Sequence, residues 1–329
     1  MNAPVKQTLL QAVNEALHIA MEADPKVLVL GEDVADKEGG GVVGATKGLS
    51  TKFGTDRVVS TPISEQAIIG AAIGASLVGY KPVAEIMLMN FTAVAMDMIV
   101  NHAAKLRYMS GGQTNVPIVI RMMTGAGGSG GGQHSDFLEA WFAHTPGIKV
   151  VAPSCPEDAK GLLLSCIADP DPCMFIESMA AYWVPGTAAA NNDPIPLGKA
   201  RIAAAGTDVT LISYARMALV AQEAAAKLLE QGISAEVIDL RTISPWDRET
   251  VLASVRKTGR AVVVHEAVRS FGVGAEIAST ISEELFGQLK APVKRLGAPD
   301  SAVPFSKPLE TAYLVSADTI VKTVKELLA

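Results

Sequence analysis

The stretch Val27-Leu28-Val29-Leu30-Gly31-Glu32-Asp33 decides the fold. Four aliphatic residues in a row, with no polar alternation, suit a strand of a parallel sheet covered on both faces. Gly31, Glu32 and Asp33 close that strand, which puts two carboxylates at its carboxyl edge; taken alone, the acidic pair reads as a turn. Upstream, Leu9, Leu10, Val13, Leu17 and Met21 recur at three- and four-residue steps, an amphipathic helix that stops before Pro25. Downstream the spacing predicts a helix over about 65–79, stopped by Gly79, then strand 83–88, helix 92–108 and strand 116–122. A glycine-rich loop leads to helix 136–143, strand 148–152, helix 156–168 and strand 173–178. Strands separated by helices mean a doubly wound α/β domain.

Residues 184–198 carry Pro185, Pro194 and Pro196 with Asn191, Asn192 and Asp193, the composition of a linker. A domain boundary is expected there, with residues 1–185 on one side and 200–329 on the other. Beyond it the alternation restarts: strand 209–213, helix 216–231 stopped by Gly232, strand 235–240 and helix 247–257. Strand 261–264, helix 274–289 and a C-terminal helix of about 316–328 complete a smaller α/β sandwich. A chain of 329 residues exceeds one comfortable hydrophobic core, which agrees with two domains.

Hydrophobic residues make up 49% and charged residues 19%, the balance of a well-buried globular protein rather than a disordered one. The net charge of −6, with no block of Lys and Arg, argues against a nucleic-acid binder, whose phosphate contacts need a basic face. Cys155, Cys166 and Cys173 have neither metal-site nor paired spacing, and read as small apolar core residues in a reducing compartment. Gln11, Asn14, Glu15 and His18 interrupt the N-terminal apolar pattern, so a signal peptide is not expected. No run of 18 apolar residues is available to span a membrane, and a cytoplasmic protein is the expectation.

Four places stand out on their residues alone, the acidic pair Glu32-Asp33 among them. In Thr61-Pro62-Ile63-Ser64-Glu65 a polar turn closes on a carboxylate, and the helix that follows is almost free of charge. Ser64 and Glu65 suit a helix cap and the helix dipole. Equally, Glu65 against an apolar wall suits a functional carboxylate able to share a proton, since burial and dipole pull its affinity in opposite directions. In Gly125–Gly132, six of eight residues are glycine, and Gln133-His134-Ser135 follows. The loop lies at the carboxyl end of the sheet, where open α/β folds bind ligands. It lacks the Lys-Ser/Thr ending of a phosphate loop and the spacing of a dinucleotide fingerprint. His134 therefore reads as a general acid or base, or else as a surface histidine. Met87 and Phe91, where strand 83–88 runs into a helix, suit the core or the stacking of a flat heterocycle.

Together these residues resemble one family. GEDV at 31–34, TPISE at 61–65, AAKLRYMSGGQ at 103–113, QHS at 133–135 and DAKGLL at 158–163 follow its pattern in order. EVIDLRTISP at 236–245 and VVVHEA at 262–267 extend the likeness into the second domain. The pattern is that of the beta subunit of the thiamine-diphosphate-dependent first component of 2-oxo acid dehydrogenase complexes, acetoin dehydrogenases included. The resemblance implies a transketolase-like architecture, with a pyrimidine-binding domain followed by a C-terminal domain that helps assembly. It implies that Glu65 bonds a pyrimidine nitrogen of the cofactor and so promotes removal of the thiazolium proton. It further implies that Glu32 borders that cofactor site, that Phe91 stacks on the pyrimidine with Met87 on the same wall, and that His134 is the acid/base of acyl transfer to a lipoyl group. A potassium ion against main-chain oxygens of Ile118, Cys166 and Ile167 and side chains of Asp169 and Asp171 belongs to the same pattern. Asp169-Pro170-Asp171 reads equally well as a turn.

The family's cofactor diphosphate is held through magnesium by a Gly-Asp-Gly segment and a later Asn. This sequence has no Gly-Asp dipeptide. The resemblance therefore implies an alpha subunit that carries the magnesium, two copies of each chain in a heterotetramer, and a lipoyl-bearing acyltransferase core. Competing readings are a self-sufficient transketolase-type enzyme and a non-catalytic scaffold of the same fold. Gln133 resembles the pyruvate and acetoin branches, whereas 161–167 has a branched-chain flavour.

Overall fold

The structure is a computed structural model that describes residues 6–329; Met1–Val5, part of the segment weighed for a signal peptide, lie outside the described residues. Seven strands form the larger sheet, in the order Thr242–Ser244, Lys149–Val151, Cys173–Ser178, Val119–Thr124, Lys81–Leu88, Val27–Glu32 and Val58–Thr61. All its neighbours run parallel except Thr242–Ser244, which pairs antiparallel with Lys149–Val151. Every residue of Val119–Thr124 and of Cys173–Ser178 is buried, as a sheet covered on both faces requires.

The second sheet has five strands, in the order Lys294–Ala298, Ala261–Val268, Val209–Ser213, Ala235–Asp239 and Arg201–Ala204. Only Arg201–Ala204 is antiparallel to its neighbour. The helices Ala215–Leu229 and Ala317–Leu328 cover one face, and Arg248–Thr258 and Val273–Glu284 belong to the core on the other. The two α/β layers expected from the sequence, strands alternating with helices, are the fold observed.

Several elements differ from the reading of the sequence. The helix expected over 92–108 is instead a 3-10 turn at Met89–Ala93, a π-helix at Met98–Ala103 and a short α-helix at Leu106–Met109. Ala95, Ile99 and Ala103 are buried at four-residue steps, a spacing that drifts off the face of a 3.6-residue helix. The wide turn, closed by the Ala104 amide on the Ile99 carbonyl at 3.1 Å, keeps both Ala103 and Ala104 inside. Residues 184–198 contain a strand, Pro185–Thr187, paired antiparallel with Lys6–Thr8. Lys294–Ala298 is an edge strand too polar to read as one, and Lys307–Tyr313 is a helix too short to show a period.

Free Cys166 and Cys173 are buried and Cys155 is half-buried, as small core residues. Among the described residues no helix is long and apolar enough to cross a membrane.

Candidate active site

Four adjacent parallel strands end at one edge of the larger sheet, and each delivers a residue singled out in the sequence. Glu32 is the last residue of Val27–Glu32, in register with Thr61 on the neighbouring strand. Glu65 opens the helix Glu65–Leu77 four residues after that strand ends. Phe91 lies in the 3-10 turn after Lys81–Leu88, and His134 follows the glycine loop after Val119–Thr124. This is the carboxyl edge, where open α/β sheets present their ligand sites.

Glu65 is buried at 7% exposure, and Glu32 at 8%. Ser64 gives the helix no side-chain cap; its hydroxyl donates instead to the Pro62 carbonyl at 3.1 Å. Capping by Ser64 is therefore not what fixes this turn. Burial holds Glu32 above the ordinary carboxylate range, and the neighbouring acids Glu65, Asp33 and Glu85 add to the effect. The charges acting on Glu32 are of its own sign, which favours its protonated form.

Phe91 is half-buried and turns its ring edge-on to His134, with centroids 5.5 Å apart and planes at 78°. Met87 packs against the same core as Phe91 and borders a cavity of about 10 Å³ with Glu85, Arg121 and Tyr182. His134 is exposed, and its loop is bracketed by Asn90. The Asn90 amide donates to the Gly132 carbonyl at 3.1 Å and to Asp136 Oδ2 at 2.9 Å, and its Oδ1 accepts from the Asp136 amide.

Two polar clusters gave no sign in the sequence. Arg121, 2% exposed, donates to both oxygens of Glu177 at 2.6 and 2.8 Å and to Glu85 at 2.7 Å. Tyr182 closes that cluster with a 2.5 Å bond to Glu177. A run of buried strand residues gives no hint that alternate positions on three strands share charge. The second cluster comes from the C-terminal domain: Glu266 and Glu310 accept bonds from the backbone of the glycine loop.

Of Ile118, Cys166, Ile167, Asp169 and Asp171, the two aspartates are brought together on Lys149. Ile118 accepts from the Cys173 amide at 3.0 Å, and Cys166 from the Asp169 amide at 3.3 Å. The two carboxylates are engaged, however. Lys149 reaches Asp169 at 2.6 Å and Asp171 at 3.2 Å, and Arg107 reaches Asp171 at 2.6 Å.

Family models match both parts of the chain: the transketolase pyrimidine-binding domain over residues 5–183, and the transketolase C-terminal domain over residues 198–320. A solved split-gene transketolase, described as an inactive beta4 tetramer, has the same fold at a TM-score of 0.79, with 24% identity and 99% of each chain covered. Fold and domains thus define a transketolase-like protein with a pyrimidine-binding domain.

The acetoin:2,6-dichlorophenolindophenol oxidoreductase subunit beta of Cupriavidus necator is 45% identical over 98% of this chain and 97% of its own. The pyruvate dehydrogenase E1 component subunit beta of Bacillus subtilis is 43% identical over 98% and 99%. The 2-oxoisovalerate dehydrogenase subunit beta of the same bacterium is 41% identical over 97% of each. The chain belongs to this thiamine-diphosphate-dependent family of 2-oxo acid and acetoin dehydrogenase beta subunits.

Proposed function

We propose that the chain supplies the pyrimidine half of a thiamine diphosphate site and works with an alpha subunit on a 2-oxo acid, pyruvate first, or on acetoin. The observation that carries this reading is the buried pair Glu32 and Glu65 at the carboxyl edge, without a compensating cation among the charges on Glu32. A protonatable ring nitrogen is the group such a pair accepts. Glu65 would bond that nitrogen and hold a proton there, with Glu32 beside it, and Phe91 with Met87 would wall the ring. Thiamine diphosphate, when bound, supplies the electron sink that the side chains lack. His134 would deliver a proton to a lipoyl sulfur at the mouth of the site, where its exposure leaves room for a bulky arm.

The lack of a Gly-Asp segment supports a partner that holds the diphosphate and its magnesium, in a tetramer of two chains of each kind. Ile63 at 82% exposure, Tyr108 at 88% and Phe271 at 97% leave large apolar side chains uncovered, as a subunit with partners does. A lipoyl-bearing acyltransferase core is the acceptor, and the free thiols suit a cytoplasmic setting. Potassium at Asp169 and Asp171 would have to compete with Lys149 and Arg107 for the same oxygens.

The test is reconstitution. The chain alone, given thiamine diphosphate and magnesium, is expected to turn nothing over, and an alpha subunit is expected to restore decarboxylation. Measurable turnover by the isolated chain would sink the shared-site reading.

A further inference from the structure

The glycine loop that carries His134 is not an open cradle. Gly127, Ser129 and Gly131 have positive φ values of 116°, 57° and 70°, the alternation that turns successive backbone N–H groups inward as an anion nest. The anion in that nest is the protein's own. Glu310, fully buried, accepts from the Gly127 amide at 2.6 Å and from the Ser129 amide at 3.0 Å through one oxygen. Its other oxygen takes a 3.3 Å bond from Lys307, and the same ammonium donates to the Gly127 carbonyl at 2.7 Å. One residue earlier in the loop, Glu266 accepts from the Ala126 amide at 2.6 Å. Thus three loop amides are fixed by carboxylates from 140 to 183 residues away in the chain. The far end of the loop is fixed by Asn90 on the pyrimidine-domain side, and Gly131 lies against the Phe305 ring.

We propose that Glu310, seconded by Glu266, is a positioning residue for His134: the C-terminal domain sets where the acid/base stands by holding the loop that carries it. The proposal rests on the reading of His134 given above, and extends the C-terminal domain's part beyond assembly. The chemistry favours a hold of this strength, because bonds from amides to an ionised carboxylate are about twice as strong as neutral ones. Burial works to raise the Glu310 pKa, but the Gly127 and Ser129 amides outweigh it and keep the group below the ordinary range, hence ionised and accepting. A loop of six glycines has no stiffness of its own to replace that hold.

The experiment uses the reconstituted alpha–beta complex with Glu310→Ala, Glu310→Gln and His134→Ala. Amide hydrogen exchange is read over residues 126–135, and two activities are compared: oxidation by an artificial electron acceptor and acyl transfer to a lipoyl domain. Glu310→Ala is expected to speed exchange in that loop about tenfold while the rest of the C-terminal domain keeps its protection. Acyl transfer is expected to fall about tenfold or more, since misplacing a catalytic group by about 1 Å costs up to 10²-fold. The acceptor reaction should fall several-fold less. Glu310→Gln keeps an acceptor oxygen in the nest and should return both loop exchange and transfer most of the way.

Unchanged loop exchange in Glu310→Ala overturns the proposal. So does a loosened loop with undiminished transfer, provided that His134→Ala itself abolishes transfer. General loss of protection across the C-terminal domain, with both activities falling equally, also overturns it, because Glu310 is then only a structural residue. If His134→Ala leaves transfer intact, the acid/base reading fails separately, and the hold on the loop is still judged by exchange.

Discussion

Glu65 and Glu32 share one corner of the sheet edge, and burial there makes a proton costly to lose from Glu32. Glu65→Gln removes the acid but keeps the shape, so assembly should survive while turnover falls. General acid–base groups typically contribute about 10²–10⁴-fold. A fall of less than about tenfold, measured as decarboxylation by the reconstituted complex, would contradict the assignment. On the proposed reading, His134 works at a different step. His134→Ala should leave part of the artificial-acceptor oxidation, which needs no proton on a lipoyl sulfur, while acyl transfer to a lipoyl domain falls much further. Equal losses in the two assays would move His134 to substrate binding or carbon–carbon cleavage; no loss in either would make it a surface histidine.

At the level of elements, the junction between the domains also holds an acid whose ionisation the fold opposes. Glu139 opens the short helix Glu139–Ala143 and accepts from the Tyr214 hydroxyl at 2.6 Å, just past the strand Val209–Ser213. Burial pushes Glu139 up to about 7, against the pull of the Tyr214 bond and with help from the nearby charge of Glu266. Its ordinary value is 4.5, so the folded chain holds this proton more tightly than the unfolded one. The stability it contributes is complete below that ordinary value and is lost as the pH rises toward about 7. Glu139→Gln keeps an acceptor for Tyr214 and never ionises. Relative to wild type it should gain stability between pH 5 and pH 8, on the order of 1–3 kcal/mol. Thermal midpoints of both proteins at the two pH values decide this; a constant difference between them would refute the buried titration.

Over the whole molecule, one buried ion network joins the first domain to the second. Asp158, fully buried in the helix Pro156–Ala168, stands 2.6 Å from Arg241 and 3.3 Å from Arg201. Arg201 also reaches Asp239 at 3.1 Å, and Ser154 donates to Asp239 at 2.5 Å. Removing one partner of a buried pair strands the other charge, which typically costs about 3–5 kcal/mol. Here Arg201 keeps Asp239 and both arginines reach solvent, so Asp158→Ala should lower unfolding stability by about 1–3 kcal/mol, as read from urea denaturation. A loss under about 1 kcal/mol would show that the network only decorates the domain contact.

The sequence by itself determined what depends on neighbours in the chain. The aliphatic run at 27–30, the helix 156–168 and the strand 173–178 were legible because burial leaves a period within a few residues. The strand–helix order also placed Glu32, Phe91 and His134 at carboxyl ends, whereas the strand Val58–Thr61 that leads to Glu65 was not legible. Motif likeness, rather than any local period, is what favours a functional Glu65 over a helix cap. Only the tertiary structure decided what depends on distant partners. Thr242–Ser244 follows the linker in sequence yet pairs with Lys149–Val151 in the first sheet. Lys149 and Arg107 already engage the acids of the expected potassium site, and Glu310 is a lone acid in an unremarkable segment until the fold sets it against Gly127. Such partners lie up to 183 residues apart, and a hydrogen bond between them leaves no periodic trace in either segment.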